Sequence, residues 1–426
     1  MSKKNVYLER YAYPDTFINE KPHDGLQTVV VLPSYNEPRL TDSLEALHAC
    51  QATEFPLEVL VVINEGCHVS EAVRKQNRQS CKEARQWAEA HSTPEKRYHI
   101  VFADGLPKKH AGVGLARKIG MDEAVRRLEA VGQTKGILLC FDADSLCEPN
   151  YLREVEQFFV HKKPQANGCS IHYEHPLTEE YPEEVIEGII SYELHLRYYV
   201  NGLRYAGHPF AYQTIGSSMA VRSDVYQKQG GMNRRKAGED FYFLQRIIPL
   251  GKFYDLNTTC VIPSPRESDR VPFGTGRAIQ EWLSNRKNIH DTYDFRTFED
   301  LREAVASCDS FYKTDSLSDA YERLPLSFQA FWEKELWIEQ ISGIINDSPG
   351  IETFRKKFFH WFDAFQVLKY AHFARDHFYP LLTVNEGLRW LFEAYIKQKP
   401  ADSLKKQLFQ LREFDKSNLY PTSKQA

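Results

Sequence analysis

From Thr28 to about Cys260 the chain alternates short, β-branched apolar runs with longer amphipathic ones. The runs TVVVL (28–32), LEVLVVI (57–63), YHIVFA (98–103) and GILLCF (136–141) predict strands, and their near-continuous apolar character is that of strands buried on both faces. Segments 38–52, 70–91, 111–130 and 150–161 between and after them predict helices. Strands alternating with helices give an α/β class with a parallel sheet and right-handed crossovers. After about Ile171 the rhythm changes: a long helix is expected near 183–203, a short strand at 214–221, a helix opening at Gly238-Glu239-Asp240 and a strand near 258–262. Beyond Gly276 the pattern is wholly helical, with segments near 277–291, 298–307, 325–345, 351–374, 384–398 and 402–413. YKTDSLSDAYERLP (312–325) is the expected flexible link. The division is thus an N-terminal extension over 1–25, an α/β domain over 26–275 and a helical C-terminal domain over 276–426.

Charge and composition remove some function classes. A formal net charge of −4 lacks the basic footprint of nucleic-acid binding, so no nucleic-acid partner is expected. The opening MSKKNVYLERYAYPDTF has no apolar core of signal-peptide length, and no window nears the roughly 18 apolar residues of a membrane span. A cytoplasmic protein without a transmembrane segment is the expectation. The eight cysteines, at 50, 67, 81, 140, 147, 169, 260 and 308, include no C-x-x-C pair and read as reduced thiols, neither a disulfide framework nor a zinc site. In the helical tail, FQAFWEKELWIEQI and FRKKFFHWFDAF place aromatics at helical spacing. Core packing is the first explanation, with an acceptor groove or peripheral membrane contact as the alternative; acids interspersed among the Lys and Arg weaken the membrane case.

Chemistry enters where GILLCF ends in Asp142-Ala143-Asp144. Residues two apart on an extended strand project to the same side, so these carboxylates can converge at the strand's carboxyl end, where open α/β sheets bind ligands. Two hard oxygen donors with no neighbouring His or Cys suit Mg2+ or Mn2+, which takes its remaining ligands from a substrate's phosphates. The alternative is a pair that only caps the turn before Glu148-Pro149. His172 and His175, three apart on a strand, face opposite sides, so no metal site is expected from them. GVGLAR (112–117) lacks the third glycine of a dinucleotide fingerprint and does not directly follow a strand.

The first strand runs into Pro33-Ser34-Tyr35-Asn36-Glu37, and about one hundred residues separate this motif from Asp142-Ala143-Asp144 and that one from Gly238-Glu239-Asp240. With the three motifs in this order, residues 26–275 resemble glycosyltransferase family 2, the nucleotide-sugar-dependent transferases. The resemblance implies a GT-A fold, a Rossmann-like α/β sheet, here with a C-terminal helical extension. It further implies a metal-dependent enzyme that moves a sugar from a UDP- or GDP-linked donor to a hydroxyl of a glycan, lipid-linked or small-molecule acceptor. By that resemblance Pro33, Tyr35 and Glu37 line the base and ribose pocket, Asp142 lies near ribose and metal, and Asp144 is the principal ligand of Mn2+ or Mg2+. Asp240 is then the base that takes the acceptor hydroxyl's proton in an inverting transfer, with Glu239 as its neighbour and acceptor ligand. Gly216, Ser217 and Gly231 match acceptor-side segments, where glycine lets a sugar approach the backbone. Plainer readings stand beside these: a strand-to-helix turn at 33–37, turn glycines at 216 and 231, and acids favoured by a helix N-terminus at 239 and 240.

Two segments depart from the family pattern. Ile63-Asn64-Glu65-Gly66 replaces the usual Asp-rich turn, leaving Asn64 or Glu65 to read the base. Ala116-Arg117-Lys118-Ile119-Gly120 replaces A-R-N-x-G, and Arg117 can still approach a diphosphate. Arg266, Arg270 and Arg277, on a segment with two glycines, fit either a loop that closes on the diphosphate or an ordinary charged linker. The competing functions are a retaining transferase of the same fold and a non-catalytic sugar-nucleotide or glycan-binding module. A nucleotidyltransferase is disfavoured, because PSYNEP is not a Gly-rich basic loop.

Overall fold

The computed structural model describes residues 5–268, 274–284 and 291–417. In chain order its first elements are α1 (Val6–Arg10), β1 (Thr28–Ser34), α2 (Leu40–His48), β2 (Leu57–Gly66), α3 (Glu71–His91), β3 (Lys96–Leu106), α4 (Val113–Ala130), β4 (Ile137–Cys140), β5 (Leu146–Cys147), α5 (Tyr151–Gln157) and β6 (Gly168–Tyr173). There follow α6 (Glu183–Tyr205), β7 (Met219–Arg222), α7 (Ser223–Lys228), α8 (Glu239–Ile247), β8 (Phe253–Ile262) and α9 (Thr275–Ser284). The chain divides into two compact units, one formed by Met1–Thr178 with Thr214–Arg277 and the other by Glu179–Gln213 with Ala278–Ala426. The expected division after 275 differs in one respect: residues 179–213, with α6, group with the helical C-terminal residues.

The first unit is built on an eight-stranded sheet in the order β3-β2-β1-β4-β7-β6-β8-β5. It is α/β, as the alternation of patterns predicts, and mostly parallel. The β1 strand pairs in parallel with β2 (Thr28↔Leu57 to Ser34↔Ile63) and with β4 (Thr28↔Ile137 to Val31↔Cys140). β7 enters antiparallel between β4 and β6, and β6 is parallel to β8. The run Val29 to Leu32 is completely buried, because helices cover both faces of this part of the sheet. At Gly120 on α4 a Cβ would run into Val31 Cγ1 and stand 3.0 Å from Val62 Cγ2, so glycine there sets how closely α4 lies on the sheet.

The N-terminal residues pack on α4. Asp122, fully buried, accepts hydrogen bonds from the Tyr7 hydroxyl (2.6 Å), the Tyr226 hydroxyl (2.7 Å) and the Tyr13 amide (2.7 Å), and pairs with Lys118 at 2.9 Å. Burial pushes the Tyr7 hydroxyl well above its usual range, and the Asp122 carboxylate pushes it further.

The second unit holds α6, Phe295–Ala306 and the helices that follow, with a two-stranded ribbon pairing 291–292 with 382–383. The stretch expected as a flexible link carries instead the helix Leu317–Glu322, whose Ser316 hydroxyl accepts from the Asp319 amide at 3.2 Å. The expected helix at 351–374 is two, Ile351–Trp361 and Ala364–His377, the second capped by Asp363, which accepts from the Gln366 amide. The tail's aromatics are largely core: Phe328 stacks on Tyr370 at 3.8 Å between centroids, and Phe311 meets Trp337 edge-on. His208 sits among them, its Nε2 donating to the Phe362 carbonyl (3.0 Å), and burial lowers its pKa to about 4. On α6, Arg197 is buried with Glu193 (2.8 Å) and Asp415, and Arg412 closes on Glu193 at 2.7 Å. Among the described residues no helix is long and apolar enough to cross a membrane.

Candidate active site

Because β1, β2 and β4 run parallel, their carboxyl ends share one edge of the sheet. Met219, the first residue of the antiparallel β7, pairs with Cys140, the last of β4, so Gly216-Ser217-Ser218 reach the same edge from the opposite direction. Topology therefore gathers Glu37, Asn64, Asp142, Asp144 and Gly216 from distant positions in sequence.

Arg117, in the first turns of α4 and almost completely buried, joins two of the motifs. Its Nη2 donates to Asp142 Oδ1 at 2.7 Å, its Nε to Glu239 Oε1 at 3.0 Å and its Nη1 to the Gly216 carbonyl at 2.8 Å. Burial opposes its charge, but Asp142 and Glu239 more than compensate and hold its pKa well above the ordinary value. The expectation that Arg117 faces a diphosphate thus meets a different arrangement, in which its guanidinium is committed to protein oxygens. Lys118 departs from the site altogether, being paired with Asp122.

A second arginine joins the other two acids. Arg266 Nη1 donates to Glu37 Oε1 at 3.0 Å, Nη2 to Glu37 Oε2 and to Asp144 Oδ2 at 3.0 Å. Glu37 is buried, whereas the Asp144 side chain is 32% exposed and that of Asp142 34% exposed. Arg270 lies outside the described residues.

Gly238 begins α8 at φ 64°, a left-handed conformation that glycine adopts without strain, and the acids at 239 and 240 occupy the first turn, where the helix dipole favours them. Glu239 is buried toward Arg117, while the neighbouring Asp240 is half-buried, with Oδ1 accepting from the Phe241 amide at 2.7 Å. Burial, with the Glu239 charge next in size, pushes the Asp240 carboxyl up to about 7; Arg117 pulls the other way. A Cβ on Gly216 would run into Arg117 Nη2 and stand 3.1 Å from Asp240 Oδ2, so this glycine is what lets the guanidinium and the acid approach the β7 loop.

The remaining expected residues divide. Pro33 is buried at the end of β1 and Tyr35 is half-buried in the following turn. Asn64 and Glu65 are buried; Glu65 accepts from Arg74 (3.1 Å) and Asn77 (3.3 Å), and Asn77 in turn accepts from the Asn36 amide (2.9 Å). Glu65 therefore ties the end of β2 to the turn after β1. Ser217 is buried, its hydroxyl 3.3 Å from that of Ser218. Gly231 belongs elsewhere, at φ 72° with its α-carbon against the Tyr7 and Tyr226 rings. Sequence reasoning overlooked the Glu37–Arg266 and Asp142–Arg117–Glu239 pairings, for which spacing along the chain carries no signal.

Neither a protein-family model nor a curated protein sequence matches this chain. Solved structures of S. aureus TarS (residues 1–349) are similar to it over much of their length. The complex with UDP-GlcNAc aligns at 12% identity over 79% of this chain and 91% of the other, with a TM-score of 0.39. The complex with UDP aligns at 13% identity over 88% and 92%, with a TM-score of 0.38. At these scores the likeness assigns neither fold family nor ligand.

Proposed function

We propose that the chain is a metal-dependent glycosyltransferase of GT-A type, moving a hexose from a UDP- or GDP-linked donor to an acceptor hydroxyl with inversion. The observation that carries this reading is Arg117: one buried guanidinium fixes Asp142, at the mouth of β4, to Glu239 beside the proton-accepting Asp240. A donor-side carboxylate and an acceptor-side base are thereby held at one sheet edge, as group transfer between two bound substrates requires.

Asp142 and Asp144 offer hard oxygen donors, each about one-third exposed, and this donor set fits Mg2+ or Mn2+. These residues would hold the cation, which when bound neutralises the donor's diphosphate and eases its departure. Arg266, linked to Glu37 and Asp144, adds positive charge beside the leaving diphosphate. Asp240 takes the acceptor hydroxyl's proton as that oxygen attacks the anomeric carbon, and a proton affinity near 7 matches a general base working at neutral pH. Glu239 orients Arg117 and keeps Asp240 basic by like-charge repulsion.

The test combines thermal shift with nucleotide release, using UDP- and GDP-sugars with and without Mn2+ or Mg2+. One donor family should stabilise the protein only with metal and be slowly hydrolysed without acceptor. Asp240→Asn should retain the stabilisation and lose the turnover. Stabilisation without turnover in the wild type points to a binding module, and no stabilisation by any donor ends the proposal.

A further inference from the structure

His172 lies one residue before the end of β6 and Glu174 just beyond it, so the two side chains, two apart, project to one side. The parallel register between β6 and β8 jumps from Ile171↔Leu256 to Tyr173↔Val261, and this irregularity sets Cys260 alongside them. One ligand atom from each of His172, Glu174 and Cys260 lies within 4.8 Å of the other two, and His172 Nε2 is 3.0 Å from Glu174 Oε1. His172 and Cys260 are buried, while the Glu174 side chain is 22% exposed.

From this cluster we infer that the protein has a second metal site, for Zn2+, formed by His172, Glu174 and Cys260. The donor chemistry is the argument. An imidazole, a thiolate and a carboxylate form a borderline-soft set that suits Zn2+, unlike the all-oxygen pair Asp142 and Asp144. Zinc holds such donors at about 2.0–2.3 Å, which puts them about 3.5 Å apart in a tetrahedron. The observed spread closes to that with side-chain adjustments of about 1 Å, and the partly exposed Glu174 is the side from which the cation, with a water as fourth ligand, would enter. Binding releases the proton of the Cys260 thiol to solvent, which ends its hydrogen bond to the Val261 carbonyl (3.3 Å), and ends the direct His172 to Glu174 contact. The expectation from sequence paired His172 with His175 and rejected the site; the strand geometry that rejects that pair selects Glu174, and only the β8 register supplies the cysteine. The site clamps the ends of β6 and β8, and the segment bearing Arg266 leaves directly from β8.

The inference does not depend on the sugar-transfer reading, and its test reads metal alone. The chelator-stripped full chain is titrated with Zn2+ against a chromophoric chelator, and with Co2+ while the absorption of a thiolate-to-cobalt charge-transfer band is followed. One Zn2+ should bind per chain and raise the melting temperature, and Co2+ should give the band. Cys260→Ser should abolish the band. His172→Gln should weaken Zn2+ binding by more than about tenfold, the low end of what even outer-sphere changes cost. Asp144→Asn should leave both unchanged. Where Cys260→Ser does not fold, Glu174→Gln at the partly exposed position serves, with the same loss of affinity expected. Absence of the band in wild type, its survival in Cys260→Ser, unchanged Zn2+ affinity in His172→Gln, or loss of binding in Asp144→Asn overturns the inference.

Discussion

Arg117 and Glu239 are 122 residues apart in sequence and meet through an Nε to Oε1 hydrogen bond of 3.0 Å, with both side chains almost completely buried. The same guanidinium holds Asp142 and the Gly216 carbonyl, so its planar fork serves three acceptors at once. Lysine offers a point charge and cannot reproduce that geometry. Arg117→Lys should therefore lower turnover by about a hundredfold, the size expected when a reacting group is misplaced by about 1 Å. It should also cost stability, by less than the roughly 3–5 kcal/mol seen when a buried ion pair loses one partner, because lysine keeps the charge and loses only the geometry. Kinetics and chemical denaturation check the two effects, and a variant with wild-type values in both would remove Arg117 from its organising role.

The raised proton affinity of Asp240 makes a prediction about pH. Its folded pKa, about 7, stands above the ordinary 3.8, so folding favours the protonated form. The associated stability is fully present below about pH 4 and is lost as pH rises through 7. Asp240→Asn, which never ionises, should melt higher than wild type at pH 8 by more than it does at pH 5. Activity runs the other way: the base must be unprotonated, so kcat/KM should rise with pH to a plateau with a midpoint near 7. A flat profile between pH 5.5 and 8 would assign the proton transfer to another group.

Gly216→Ala tests space and not conformation, since residue 216 does not have a positive φ. The added methyl collides with Arg117 Nη2 and crowds Asp240 Oδ2. The expected outcome is a drop in kcat larger than any change in donor KM, because the crowding falls on the acceptor side. Crystallography or melting data showing an intact fold together with full kcat would contradict the tight packing seen here.

Asp144→Asn should abolish metal-dependent stabilisation by a nucleotide sugar while leaving the melting temperature of the free protein within a few degrees of wild type. Its side chain is one-third exposed, so the amide is tolerated, but a neutral oxygen is a poorer ligand for a hard cation. Stabilisation is measured as a shift that grows with RT ln(1 + [L]/Kd). A shift equal to that of wild type would place the cation elsewhere.

In the second unit, Arg197→Met leaves Glu193 and Asp415 buried without the guanidinium between them. Destabilisation of about 3–5 kcal/mol is expected. Denaturant titration followed by tryptophan fluorescence reports it, since Trp337 lies in that unit's core. A midpoint unchanged from wild type would show that this network contributes nothing net.

How much of this was legible beforehand depends on the range of the interaction. The strands at 28–34 and 57–66 stood out because burial on both faces leaves a nearly unbroken apolar run, whereas β3 showed only through its apolar stretch at 98–103 and is half-buried. The tail's helical periodicity was equally plain, but the capping serine at 316 did not distinguish a link from a short helix. The site aspartates were visible as charges ending an apolar run. Their partners were not, since nothing in a run of residues says which guanidinium will reach which carboxylate.

Local sequence was enough for most element types, though not for the helix at 317–322 or the ribbon at 291–292 and 382–383, and for the carboxylates at the end of β4 and the acidic pair opening α8, because each of these depends on neighbours a few residues away. Tertiary structure alone decided that Arg117 bridges Asp142 to Glu239, that Arg266 bridges Glu37 to Asp144, and that Cys260 comes to lie by His172 and Glu174. Those contacts follow from strand order and register, which bring together residues roughly 25 to 230 positions apart. Register is fixed by how buried faces pack across the whole sheet, a collective property that no local stretch of chain contains.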